Sequence, residues 1–266
     1  MKPIKITKLV LITIATALLI INCIGLVTSL RNSEIYSESS TLFKNDISLT
    51  EEEVIQELDK KELSDKEYAI KANETINNGI AHYWVDEGIS KYNLRIPFYE
   101  NYILFAASYI SPSSFEKYEY CDYRKALERG VGLCSQHSII LSEFLSTNGI
   151  NNRVVGLSGH VVVMAQVDAA NDIWWILDPD YGVTIKHNLD EVEKNPALIQ
   201  EFYLEKGYSR ENVDMLTDIF EKEGNSISTS DKTYCSNKKY YFERLSYISI
   251  WLAPILILLV VRFKFK

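Results

Sequence analysis

The amino-acid sequence predicts an α+β domain carried between two membrane-spanning helices. Three observations carry that prediction. Uncharged apolar runs stand near both ends of the 266 residues, helix-start signals and helical apolar spacing mark much of the stretch after the first run, and from about residue 152 the apolar period shortens to that of strands. Hydrophobic residues make up 47% of the chain and aromatic residues 12%, enough apolar surface to bury a core.

The first run, Leu9–Leu30, follows Lys2, Lys5 and Lys8 and is long enough to cross a bilayer of roughly 30 Å. No small-residue cleavage site follows a short apolar core, and Asn22 stands before Cys23 where lipid attachment wants a small residue. A membrane helix is therefore favoured over a cleaved leader. The second run, Leu245–Val261, is shorter and contains Pro254, but Tyr240, Tyr241 and Tyr247 precede or open it and "RFKFK" follows. Interfacial tyrosines and snorkelling cations make up the missing length.

Three positive charges at each end place both termini in the cytoplasm and residues 31–244 outside. Removing three positive charges per tail from the formal net charge of −8 leaves −14 between the spans. So acidic a domain argues against nucleic acid as a partner.

Residues 31–48 are Ser-rich and read as a tether. Thr50 with Glu53, and Ser64 with Glu67, match capping boxes, so helices begin there, the second running to about Asn78. "SPSS" at 111–114 breaks the chain before a helical stretch around Phe115–Arg129. "RGVGLC" sets two glycines ahead of Cys134, a turn that would deliver the cysteine to a helix N-terminus. That helix runs to Thr147 and stops at Asn148-Gly149. "RVVGL", "HVVVMAQV" and "IWWILD" read as strands, the last two as a hairpin. Residues 189–223 return to helix with breaks at Pro196 and Gly207 and a cap at Ser209.

The boundaries that follow are a tail (1–8), a span (9–30), the tether (31–48), a domain (49–223), a polar linker (224–244), a second span (245–261) and a tail (262–266). Of four cysteines, Cys23 lies in the first span, leaving Cys121, Cys134 and Cys235 in the domain and linker. In an oxidising compartment a Cys121–Cys235 disulfide would leave Cys134 free, although sequence proves no pairing.

An isolated cysteine is more often buried core than nucleophile. A helix N-terminus and a neighbouring imidazolium change this by stabilising the thiolate. His160 opens one strand and Asp178 closes the next. A hairpin with a three-residue loop at 168–170 would set them directly opposite, and the neighbouring even register leaves them diagonal on one face; odd registers separate them. The roles would be Cys134 as nucleophile, His160 as ion-pair partner and general acid, and Asp178 as the group that orients the imidazole. The Cys134 amide is the natural oxyanion donor, and no second donor is assignable.

"GVGLCSQHSIILSEFLSTNGINNRVVGLSGHVVVMAQV" followed by "IWWILDPDYG" resembles the transglutaminase-like superfamily, relatives of papain-fold cysteine enzymes. The shared features are Gly-x-Cys at a helix start, Gly-Ile then Arg-Val-Val after it, a strand-opening histidine, and a Trp strand ending in Asp-Pro. The likeness covers about residues 118–183. It implies Cys134, His160 and Asp178 as a triad, with the central helix packed on an antiparallel sheet. Leu133, Val161-Val162 and Asp180 depart from the family pattern at flanking positions, which bears on substrate class.

Cys134, His137, His160 and Asp178 can also be drawn as a metal set, but no second close ligand pair supports it, and no metal or cofactor is expected. His137 reads as pocket lining or core, and His82 and His187 as ordinary surface or interface histidines. The expected activity is acyl transfer or hydrolysis at an amide or ester of a protein, peptide or cell-wall component, through a Cys134 thioester. The alternative is an inactive domain of the same fold serving as a membrane-bound binding module.

Overall fold

The computed structural model describes residues 3–36, 47–59, 62–83, 88–221, 224–228 and 234–264. In chain order the helices and strands are α1 (Pro3–Gly25), α2 (Glu51–Glu57), α3 (Asp65–Gly79), β1 (Ala81–His82), α4 (Tyr102–Ile110), α5 (Pro112–Phe115), α6 (Tyr123–Arg129) and β2 (Val131–Gly132). Then come α7 (Cys134–Thr147), β3 (Asn152–Gly156), β4 (Val161–Asp168), β5 (Ile173–Asp178), β6 (Val183–Ile185), α8 (Leu189–Lys194), α9 (Gln200–Lys206), α10 (Arg210–Glu221), β7 (Ser226–Ser228) and α11 (Asn237–Lys264). The chain divides into two units, Met1–Leu30 with Gly88–Tyr118 and Lys238–Lys266, and Arg31–Glu87 with Glu119–Asn237.

In the first unit, α1 and α11 are long and apolar enough to cross a membrane. Residues 88–118, placed by the sequence inside the domain, cluster with these helices. Pro254 lies inside α11 and has no N–H for the carbonyl of Ile250, one turn earlier. That carbonyl instead accepts from Asn22 Nδ2 of α1 at 2.7 Å and from the Tyr102 hydroxyl at 2.8 Å. A backbone group orphaned in an apolar helix is thereby satisfied from two sides.

In the second unit both capping boxes form, at Thr50/Glu53 and Ser64/Glu67. Five strands make one antiparallel sheet in the order β6-β5-β4-β3-β7, and β1 pairs with β2 in a separate parallel pair. Strand alternation gives the sheet two buried faces. Val155, Val162, Met164, Ile176 and Ile185 pack into a core with Tyr203, Val213, Leu216 and Phe220 from α9 and α10. Val154, Val163, Ala165 and Leu177, all fully buried, alternate to the opposite face, where α7 packs on β3 and β4.

The hairpin register departs from the directly opposed expectation. Val163 faces Leu177 and Gln166 faces Trp174, so paired positions add to 340, and the ladder shifts between Gln166 and Asp168. The loop takes residues 169–172, with Asp172 at φ +51°. His160 and Asp178 are therefore diagonal neighbours on one face, the even register next to the one that opposes them.

Residues 224–244 do more than link. They contribute the edge strand β7, which pairs with β3, and Cys235, which forms a disulfide with Cys121. Of the expected tether, Arg31 donates to the carbonyls of Leu127 at 2.5 Å, Leu49 at 3.1 Å and Gly79 at 3.3 Å, while residues 37–46 lie outside the described residues.

Candidate active site

Cys134 is the first residue of α7, as its glycines predict. Gly130 ends α6 in the left-handed conformation at φ +68°. Gly132 allows Gln136 to close over the turn, since a Cβ at 132 would lie 2.5 Å from Gln136 Cβ. The buried Gln136 amide then accepts from the Tyr120 N–H at 2.7 Å and from Arg129 at 3.1 Å, and donates to the Tyr120 carbonyl at 2.9 Å. Arg129, fully buried, also donates to the Val131 carbonyl. This network clamps both sides of the turn that presents Cys134. Leu133, at the N-cap, supplies no side-chain cap, so the positive end of α7 faces the half-buried thiol.

One turn into α7, Ser138 donates to the carbonyl of Val161 at 2.9 Å and pins the helix to the strand that begins beside His160. His160 Nε2 lies 2.8 Å from Asp178 Oδ2. A carboxylate only accepts, so Nε2 carries the proton and the remaining ring nitrogen, Nδ1, is left to bond Cys134. Burial of the imidazole would depress its pKa. The charge and hydrogen bond of Asp178, with smaller contributions from Cys134, outweigh burial and raise it well above the usual histidine value.

Asp178 is itself held on every side. Its Oδ1 accepts from the amides of Asp180 and Tyr181, each at 3.2 Å, and Oδ2 accepts from the Tyr203 hydroxyl at 2.6 Å as well as from His160. Asn77 on α3 donates to the carbonyls of Pro179 and Asp180 and so fixes the turn after β5. The Tyr181 ring meets the His160 ring edge-on at 5.5 Å between centroids, and Tyr208 donates to the Tyr181 carbonyl.

The structure thus brings together the three residues chosen from sequence, Cys134, His160 and Asp178. It adds four that sequence reasoning passed over. Tyr203 arrives from α9, where nothing separates it from a core tyrosine. Asp180 is buried, with His82 Nδ1 2.7 Å and 3.0 Å from its two oxygens and His137 Nδ1 3.5 Å away. Burial would raise the Asp180 pKa, but the charge of His137 and the bond to His82 lower it. His82, expected at the surface or an interface, is largely covered in this cluster, and its partner Asp180 lies past the end of β5, so no strand pattern in the sequence signals the contact.

Tyr234 is the fourth. It adjoins Cys235 of the disulfide, shares a hydrogen bond with Ser135, and is pushed up to about 12 by burial and by the nearby charges of Glu119 and Cys134. Asn73 on α3 is fully buried and donates to the Val183 carbonyl.

The donor atoms of Cys134, His160 and Asp180 lie within 4.8 Å of one another, close enough to share a small cation. This set replaces His137 and Asp178 of the sequence-derived one: His137 places its two ring nitrogens 2.9 Å and 3.0 Å from the carbonyls of Leu133 and Ile80, and Asp178 serves His160. Comparison with known proteins returns no matching family model, no matching curated protein and no matching solved structure.

Proposed function

We propose that the chain is a membrane-anchored, transglutaminase-like cysteine enzyme that transfers or hydrolyses an acyl group held as an amide or ester. The observation that carries the reading is the relay itself: thiol, imidazole and buried carboxylate in sequence, with Asp178 on Nε2 and Cys134 bonded to the same ring. Cys134 attacks the acyl carbon, and the amide at the start of α7 receives the developing oxyanion. His160 protonates the leaving group as the thioester forms. Water or an amine then takes the acyl group, the acceptor's proton passes to His160, and the thiolate returns.

Both termini are read as cytoplasmic and the catalytic unit as extracytoplasmic. The positive tails support this orientation, and so does the Cys121–Cys235 disulfide, which persists in oxidising compartments. A surface protein, peptide or cell-wall component is then the substrate within reach.

The test is labelling of the purified chain with a thiol-reactive amide analogue across pH, comparing wild type with Cys134→Ser and His160→Ala. Reactivity at Cys134 is expected to persist below pH 7 and to collapse without His160. A Cys134 that reacts no faster than a free thiol, and that ignores the His160 substitution, sinks the proposal.

A further inference from the structure

Residues 102–110, YILFAASYI, form a short helix without a single charge. It belongs to the same unit as α1 and α11 and is hydrogen-bonded to α11 at its start. Asn101 caps α4 by accepting from the amides of Ile103 and Leu104, and its own amide donates to Ser246 Oγ at 2.9 Å. Tyr102 donates to the Ile250 carbonyl. Both partners on α11 lie inside the apolar run Leu245–Val261, and Ile250 is five residues, or about 7.5 Å along a helix, past its start. The start of α4 therefore sits at a level where α11 is already apolar.

The rest of α4 continues that surface. The rings of Phe98 and Tyr102 lie 6.0 Å apart, Phe98 and Phe105 5.5 Å, and Phe105 and Tyr109 5.2 Å, one connected aromatic stripe. Phe98 is 43%, Tyr109 58% and Ile110 83% exposed. The Arg95 guanidinium lies over the Tyr109 ring at 4.6 Å and pairs with Glu116, so a cation borders the stripe. Apolar side chains, tyrosines and a bordering arginine in continuity with an apolar span match the chemistry of the water–lipid boundary.

Building on the two-span reading, we propose that α4 is a third membrane-contacting element, lying in one leaflet beside α11. Phe98, Tyr109 and Ile110 sit among acyl chains and headgroups, and Arg95 lies at phosphate level. The occupant of this face is lipid.

The full chain, carrying Cys23→Ser and Cys134→Ser, would be reconstituted in phosphatidylcholine vesicles with single nitroxide labels introduced through Phe98→Cys, Tyr109→Cys or Ile110→Cys. Leu256→Cys on α11 reports the span, and Ile55→Cys on α2 reports water. Labels at 109 and 110 are expected to match Leu256, with collisions with oxygen several-fold more frequent than with a water-soluble nickel chelate. Labels that match Ile55 while Leu256 reports lipid overturn the α4 inference alone. A Leu256 label that also reports water overturns the two-span reading with it. Spin–spin broadening at 109 and 110 that vanishes on dilution with unlabelled chain would show a second copy on this face, and would equally overturn lipid as its occupant.

Discussion

Asp178 shows how much of the proposed relay rests on one carboxylate. Asp178→Asn keeps the shape but removes the charge that holds His160 protonated, so Cys134 alkylation at neutral pH should fall by about tenfold or somewhat more, toward the few per cent of thiolate that an ordinary thiol of pKa about 8.5 holds there. Its pH profile should drift toward that of an ordinary thiol. Tyr203→Phe is subtler. It deletes a 2.6 Å bond to a buried anion, a loss of about 1.5–3 kcal/mol in chemical denaturation, while His160 keeps its partner. Alkylation should weaken far less than in Asp178→Asn; an equal loss would make Tyr203 part of the relay rather than its support. The two principal partners were readable because strand parity is a period-2 property. Tyr203 was not, because a tyrosine donating to a buried carboxylate and one packed in a core have the same helical spacing.

At the level of elements, local signals translated directly. The capping boxes at Thr50 and Ser64, the α7 boundaries and the Ser209 cap, whose hydroxyl accepts from the Asn212 amide, all depend on residues within four positions of one another. The hairpin loop did not, because a shift at Gln166/Asp168 changes the register without changing the apolar alternation that sequence displays. The stretch 115–129 divides into the end of α5 and α6, with Asp122 capping the latter through the Arg124 amide. Gly132→Ala tests the turn: its Cβ would push on Gln136, costing about 1–3 kcal/mol, and Cys134 reactivity should fall although Cys134, His160 and Asp178 are unaltered. Asn22→Leu, which strips one donor from the Ile250 carbonyl, should lower stability in detergent or bilayer by about 0.6 kcal/mol, with roughly 1.7 kcal/mol as the upper end.

For the whole molecule, His160 and Asp180 set opposite limits on pH. His160 has a raised pKa in the folded state, so its contribution is complete below the ordinary histidine value of about 6.5 and is lost as pH rises through the raised value. Asp180 has a lowered pKa, so its contribution is present above the ordinary aspartate value of about 3.9 and is lost as pH falls through the lowered one. Denaturation across pH should therefore show an alkaline decline that flattens in His160→Gln and an acid decline that flattens in Asp180→Asn. The cluster of His82, Asp180 and His137 that shapes the acid limit joins residues up to 98 positions apart. No local pattern records such a contact, which is why His82 read as a surface or interface residue.

The disulfide also poses a problem of timing. Cys121 and Cys235 are separated by 114 residues, whereas Cys134 follows Cys121 by only 13. In an unfolded chain the shorter loop closes more readily by about 2 kcal/mol of chain entropy, so random oxidation would favour Cys121–Cys134 over the native pair. The protection available is conformational: once α6, its glycine turn and α7 have formed, Cys134 is committed to the helix start and to His160. Pulse oxidation during refolding should accordingly trap Cys121–Cys134 at the earliest times and lose it as α7 forms, and Gly132→Ala should prolong that trap. The turn that sets Cys134 at the head of α7 would then also guard its thiol during biogenesis.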